Sequence, residues 1–145
     1  MTDLDVATGA PTREQIQRLE SFMIEAPQLQ IEPVHHFSDG VYAREITIPA
    51  GTLLTGKVHS TEHLNIVSSG SIVVWTEDGM KQVDAPFTMV SRPGTKRVGL
   101  ALTDTVWTTI HANPSNTRDM AKLESELIVP DDCPQIAKEV TLCLG

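Results

Sequence analysis

The residues best placed to do chemistry are two histidines, His59 and His63, flanking the short segment Ser60-Thr61-Glu62. If residue 59 closes one strand and residue 63 opens the next, the two imidazoles sit across a tight turn. Adjacent antiparallel strands lie about 4.8 Å apart, so the two rings can converge on one ion. Imidazole nitrogen suits Zn, Fe, Ni or Cu. Glu62 is a reserve ligand: a regular turn points it away from the pair, and a bulge would bring it in. The plainer reading of a histidine at a β-turn is a hydrogen-bonding turn residue. His35 and His36 stand apart from this pair and read as surface or interface residues. Cys133 and Cys143 lack the C-x-x-C spacing of a zinc knuckle or redox site and read as structural thiols. No Ser-His-Asp set, phosphate loop or dinucleotide-binding arrangement is visible.

The elements that must hold these residues are mostly strands. From Val41 to His111 the pattern has period two. The expected strands are Val41–Ile48, His63–Val67, Ser71–Thr76, Met80–Val83, Phe87–Val90, Arg97–Leu102 and Thr105–Ile110. Asp78-Gly79 marks a hairpin. Seven or more short strands with closely spaced turns predict a sandwich or barrel rather than a βαβ sheet. Thr12 and Gln15 form a capping box for a helix carrying Ile16, Leu19, Phe22 and Met23 and ending at Pro27. A second helix, capped by Asn116 or Thr117, carries Met120, Leu123 and Leu127 and ends near Pro130. The tail with Ile136, Val140 and Leu144 suits one more short helix or a strand. Trp75 and Trp107 read as core or interface anchors. The expected organisation is a flexible lead over 1–11, a helix over 12–26, a barrel over 34–112 and a helical flank over 116–145.

The stretch Gly51-Thr-Leu-Leu-Thr-Gly-Lys57-Val-His59-Ser-Thr-Glu62-His63-Leu-Asn-Ile-Val-Ser-Ser-Gly70 resembles the first motif of the cupin superfamily, G-x(5)-H-x-H-x(3)-E-x(6)-G, with every spacing kept. Gly51, His59 and Gly70 match by type. Lys57 replaces the first histidine and His63 the glutamate. The second motif, G-x(5)-P-x-G-x(2)-H-x(3)-N, fits more loosely: Gly94 takes the inner glycine, Pro93 falls one place late, and Arg97 stands at the histidine. The likeness covers about residues 40–112. The wording around His59, Pro93-Gly94-Thr95-Lys96-Arg97 and Trp107-Thr-Thr-Ile-His111 is also similar to small cupins of phage and prophage genomes.

The resemblance implies an all-β fold, a cupin-type double-stranded β-helix (jelly-roll barrel), with short N- and C-terminal helices. It places the strand ending at His111 beside the barrel opening, giving His59, His63 and His111 as a three-histidine ligand set for a divalent transition metal (Zn, Fe, Ni or Mn). It also turns Lys57 and Arg97 toward the same pocket. Two cations repel a dication unless an anion lies between them, so the alignment equally supports a ligand-binding pocket of Lys57, Arg97 and Glu62 that grips a carboxylate, phosphate or sugar acid. The plain alternative is that Lys96 and Arg97 are solvated rim charges.

The bulk composition bounds these readings. One ordinary domain fits the 145 residues, with 40% hydrophobic and 21% charged residues. A net charge of −8 argues against a nucleic-acid or acidic-membrane binder. Met1–Ala10 has no secretory pattern, and no apolar run reaches membrane-span length, so a cytoplasmic (bacterial host cell) location is expected, with a virion as the phage-like variant. The leading expectation is a non-catalytic binding or assembly module, working in a homo-oligomer or particle. Three of the four metal positions are altered, and the helical flanks carry apolar stripes that want partners. The rival is a metal-dependent enzyme (isomerase, lyase or dioxygenase) acting on a small anionic sugar or organic acid.

Overall fold

The computed structural model describes residues 12–23, 25, 29–76 and 78–129. The lead over 1–11, the helix stop at Pro27, Pro130, both cysteines and the tail lie outside them.

Among the described residues nine strands form two antiparallel sheets. The first runs in the order β1 (Val34–Ser38), β2 (Val41–Ile48), β9 (Thr105–Ala112), β4 (His63–Ser69), β7 (Phe87–Ser91). The second runs β3 (Leu53–Thr55), β8 (Val98–Ala101), β5 (Ser71–Thr76), β6 (Gly79–Asp84). The two sheets share one core. Ile46, Ile48, Val67 and Trp107 come from the first sheet, and Leu54, Ile72, Val74, Val83 and Ala101 from the second. Each large apolar side chain buried there contributes about 1.5–3 kcal/mol before conformational entropy is charged against it.

Two motif glycines are conformational necessities. Gly70 (φ 89°) turns β4 into β5, and a Cβ there would meet the Asp104 carbonyl oxygen at 2.1 Å. Gly51 (φ 81°) ends the turn after β2, its N–H donating to Ala101 O at 2.7 Å.

Helix α1 (Arg13–Met23) starts with the capping box: Gln15 N–H donates to Thr12 Oγ1 at 3.1 Å, and Thr12 N–H to Gln15 Oε1 at 2.8 Å. Its buried face is Ile16 and Glu20, with Leu19 and Met23 half-buried. Phe22 departs from the expected stripe and is 78% exposed. A buried charge fixes this rotation. Glu20 Oε2 accepts from Lys96 Nζ at 3.2 Å and from Thr55 Oγ1 at 2.7 Å. The rim-charge reading therefore fails for Lys96 and Arg97, which are 1% and 6% exposed.

Helix α2 (Met120–Leu127) is capped by Asp119, not by Asn116 or Thr117. Asp119 Oδ1 accepts from Ala121 N–H at 3.0 Å and Lys122 N–H at 3.4 Å. Asn116 is engaged elsewhere, accepting from Gly40 N–H at 2.6 Å and donating to Asp39 at 2.9 Å across the β1–β2 turn. Leu123 and Leu127 of α2 pack on Tyr42 and Phe37, which sets the helix against one end of the first sheet.

Candidate functional site

Period-two alternation carries the inward side chains of three neighbouring strands from the core to the open end. Ile46, Trp107 and Val67 share one level, since Ile46 pairs with Trp107 and Val67 with Trp107. Arg44, Thr109 and Asn65 form the next, by the pairs Arg44–Thr109 and Asn65–Thr109. Tyr42 pairs with His111 in the third, and His63 lies one residue beyond the Leu64–Ile110 pair. Below them Trp107 Nε1 donates to Asn65 Oδ1 at 3.1 Å, and Asn65 Nδ2 to Ser91 Oγ at 2.8 Å, so the buried Asn65 amide is bonded through both its oxygen and its nitrogen.

His59 reaches this level from the opposite direction. The segment before it is irregular rather than the expected strand, and His59 is held by an isolated bridge to Ile128 just past α2. Ser60 N–H donates to Leu127 O at 2.8 Å and Val129 N–H to Val58 O at 2.8 Å, fastening both sides of that bridge.

The three imidazoles meet. Ring centroids are 4.5 Å apart for His59–His63, 4.9 Å for His59–His111 and 4.8 Å for His63–His111. All three residues are buried. His63 Nδ1 lies 3.0 Å from the Thr61 carbonyl oxygen, which can only accept, so that nitrogen is assigned the proton and Nε2 keeps its lone pair. His63 Nε2 and His111 Nδ1 are both buried without a hydrogen-bond partner.

Burial, then the neighbouring histidines and Arg97 and Arg44, push the pKa of His59 down to about 2. Burial, His63 and Arg44 take His111 to about 4. His63 is lowered by burial and by Arg97, against the opposing bond to Thr61. At neutral pH the trio is uncharged, the state in which imidazole ligates metals.

Two of the three imidazoles border a cavity of about 270 Å³, and His63 borders a separate outer hollow. His59 and His111 line the cavity, with Tyr42, Arg44 and Lys57 on the barrel side and Met120, Leu123 and Leu127 of α2 opposite. Lys57 faces this cavity and is paired there with Glu124 of α2. Arg97 is not among the lining residues. It is buried, its guanidinium carbon 5.7 Å from the centre of the Trp107 ring and its charge felt at His59 and His63. Glu62 is exposed and borders a shallower outer hollow with His63, Leu64 and Val90. His36 is exposed and bonded to Glu45 at 2.9 Å, whereas His35 lines the cavity and bonds the Tyr42 hydroxyl at 2.8 Å. The sequence pattern left Arg44 and Tyr42 out of the site and set His35 aside as a surface or interface residue, whereas it lines the cavity. Arg44 and Tyr42 occupy inward positions of an alternating strand, a signal that was there to be read.

No known family profile matches the chain, and no curated protein does. Solved structures do match. A cupin superfamily protein from Desulfitobacterium hafniense DCB-2 superposes with a TM-score of 0.51 at 15% identity, over 73% of this chain and 96% of that one. The fold is that of the cupins. KdgF from Halomonas sp. gives 0.51 at 15% identity, over 66% of this chain and 90% of that one. The DMSP lyase DddQ from Ruegeria pomeroyi DSS-3 gives 0.52 at 12% identity, over 61% of this chain and 49% of that one. Cupin-fold neighbours thus include enzymes, and at these identities the likeness concerns the fold alone. Among the described residues no helix is long and apolar enough to cross a membrane.

The donor set of this cupin-fold chain fits a transition metal in three respects: three imidazoles, neutral, with two orphaned ring nitrogens. Imidazoles sharing an ion at about 2.0–2.1 Å from each nitrogen have centroids roughly 4.5–5.5 Å apart, as these do. The donor atoms are nevertheless not posed around a common point, since no group of three His, Cys, Asp or Glu among the described residues meets the geometry of a formed ion site. Arg44 and Arg97 add positive charge beside them.

Proposed function

We propose that this chain is a small-molecule-binding cupin. In this reading His59, His63 and His111 hold a divalent transition metal at the inner end of the cavity, and a small anion binds beside it. The observation that carries this is the meeting of three buried, neutral imidazoles, two with unpartnered nitrogens, beside a cavity of about 270 Å³. The flanking arginines make the two ligands interdependent. Alone, a dication is opposed by Arg44 and Arg97; with an anion present the charges alternate in sign. A bound metal would supply Lewis acidity to an oxygen of the ligand.

The test is calorimetric titration of Zn²⁺ and Ni²⁺ into chelator-treated protein, with and without acetate. Binding of about one ion per chain, tightened by acetate and abolished in His63→Gln and His111→Gln but kept in His36→Gln, is expected. Absence of binding by the wild type in both buffers overturns the metal reading.

A second reading is assembly into a homo-oligomer, favoured by one exposed feature. Leu64 pairs with Val90 on one side and Ile110 on the other, forming an apolar row across the outer face of the first sheet. Sedimentation velocity decides it, a monomer at micromolar concentration counting against it.

A further inference from the structure

The cavity has two unlike walls, and the contrast selects a class of ligand. The barrel wall brings Arg44 and the imidazoles of His59 and His111. α2 and the residue that follows it bring Met120, Leu123, Leu127 and Ile128, together with Glu124, whose carboxylate is held by Lys57. The α2 wall is fixed in place rather than draped. Leu123 and Leu127 are buried against Tyr42, Glu124 pairs with Lys57, and Ile128 bridges His59.

We infer that the ligand is a carboxylate with an apolar body, its carboxylate toward Arg44 and its body along α2, and not a polyhydroxylated acid. The inference rests on the reading that the cavity binds a small anion.

Three arguments support this. Arg44 is an inward residue of β2 and lines the cavity together with His35, His59 and His111, so a permanent positive charge stands in that wall. Guanidinium grips carboxylate through two parallel hydrogen bonds, a geometry a lone hydroxyl cannot match. Beside Glu124, which Lys57 already holds, the α2 wall presents four apolar side chains, so a sugar-like body along them would leave hydroxyls without partners, each costing about ten- to a hundredfold in affinity. Size sets a bound as well. The volume of about 270 Å³ equals roughly nine waters at about 30 Å³ each, room for a molecule of about ten heavy atoms.

The experiment is calorimetry of the full chain with phenylacetate, gluconate and benzyl alcohol, in the presence and absence of Zn²⁺. Phenylacetate is expected to bind at least tenfold tighter than either of the others, with a negative heat-capacity change from apolar burial. Arg44→Met should weaken phenylacetate tenfold or more and leave benzyl alcohol unchanged, while Arg44→Lys retains part of the affinity. Met120→Gln, a change at an exposed residue of the cavity lining, should weaken phenylacetate several-fold without unfolding the protein. Gluconate binding as tightly as phenylacetate overturns the inference, as does phenylacetate binding that Arg44→Met leaves intact. If Zn²⁺ binds through the histidines and neither acid binds, this ligand class falls and the metal reading stands. If neither metal nor acid binds, both fall.

Discussion

His63 Nδ1 lies 3.0 Å from the backbone carbonyl of Thr61, two residues back in the turn that brings the chain from His59 into β4. This local bond does what an outer-shell partner does in metal sites: it fixes the tautomer and aims the other nitrogen inward. Long-range ¹H–¹⁵N spectra of the metal-free protein should therefore show His63 as the Nδ1–H tautomer, neutral at pH 7. An Nε2–H signal for His63 would mean that the inward nitrogen is a donor and would remove the basis for ligation there.

Much of this arrangement could be read before the fold was known, because period two survives in the long strands. Val41–Ile48 and Thr105–Ala112 alternate clearly, and their inward residues form the levels that lead to the site. Leu53–Thr55 is too short to show any period, and Val34–Ser38 is an edge strand with a His-His pair and little burial, so neither β1 nor β3 was visible. The spacing of His59 and His63 survived as a signal because it depends on a local turn. The Glu20–Lys96 pair gave none, since its members lie 76 residues apart and each alone looks like a solvated charge. The α2 wall was equally hidden: apolar stripes say that a helix packs, not which cavity it closes.

That buried pair yields a stability test. Glu20 and Lys96 are 0% and 1% exposed, and Glu20 Oε1 has no hydrogen-bond partner. Removing one partner takes the opposite charge away from a buried ion, so Glu20→Leu or Lys96→Met alone should cost about 3–5 kcal/mol in urea unfolding. Replacing both with apolar residues should restore most of that loss. Single variants within about 0.5 kcal/mol of wild type would show that water reaches the pair.

Gly70 and Gly40 both have positive φ, 89° and 73°, yet they differ in surroundings. At Gly40 an added Cβ meets nothing within 4 Å, whereas at Gly70 it would press into the Asp104 carbonyl oxygen and the Thr105 backbone. Gly40→Ala should cost about 1–2 kcal/mol, the left-handed penalty alone. Gly70→Ala should cost well above that, and at worst give no soluble protein. Equal midpoints for the two variants would refute the close approach of β4's end to the start of β9.

The last prediction concerns acid. Folding lowers the proton affinity of His111 to about 4 and of His59 to about 2, both through burial first, while an unfolded histidine titrates near 6.5. Between those limits the unfolded chain binds more protons than the folded one, so the slope of unfolding free energy against pH is positive. The sign follows: this contribution is fully present above about pH 6.5 and is lost as pH falls toward 4 for His111 and further for His59. It is a destabilisation by acid, opposite to that of a histidine gaining a carboxylate partner. Chelator-treated wild type should lose stability steadily from pH 6.5 to 5, a window above most carboxylate titration. His111→Gln should flatten that slope, because one of the protons that drive unfolding is gone. The check is urea unfolding at half-unit pH steps. A slope in His111→Gln as steep as in the wild type would mean that His111 is not buried neutral among its neighbours, and the three-ring cluster as described would fail with it.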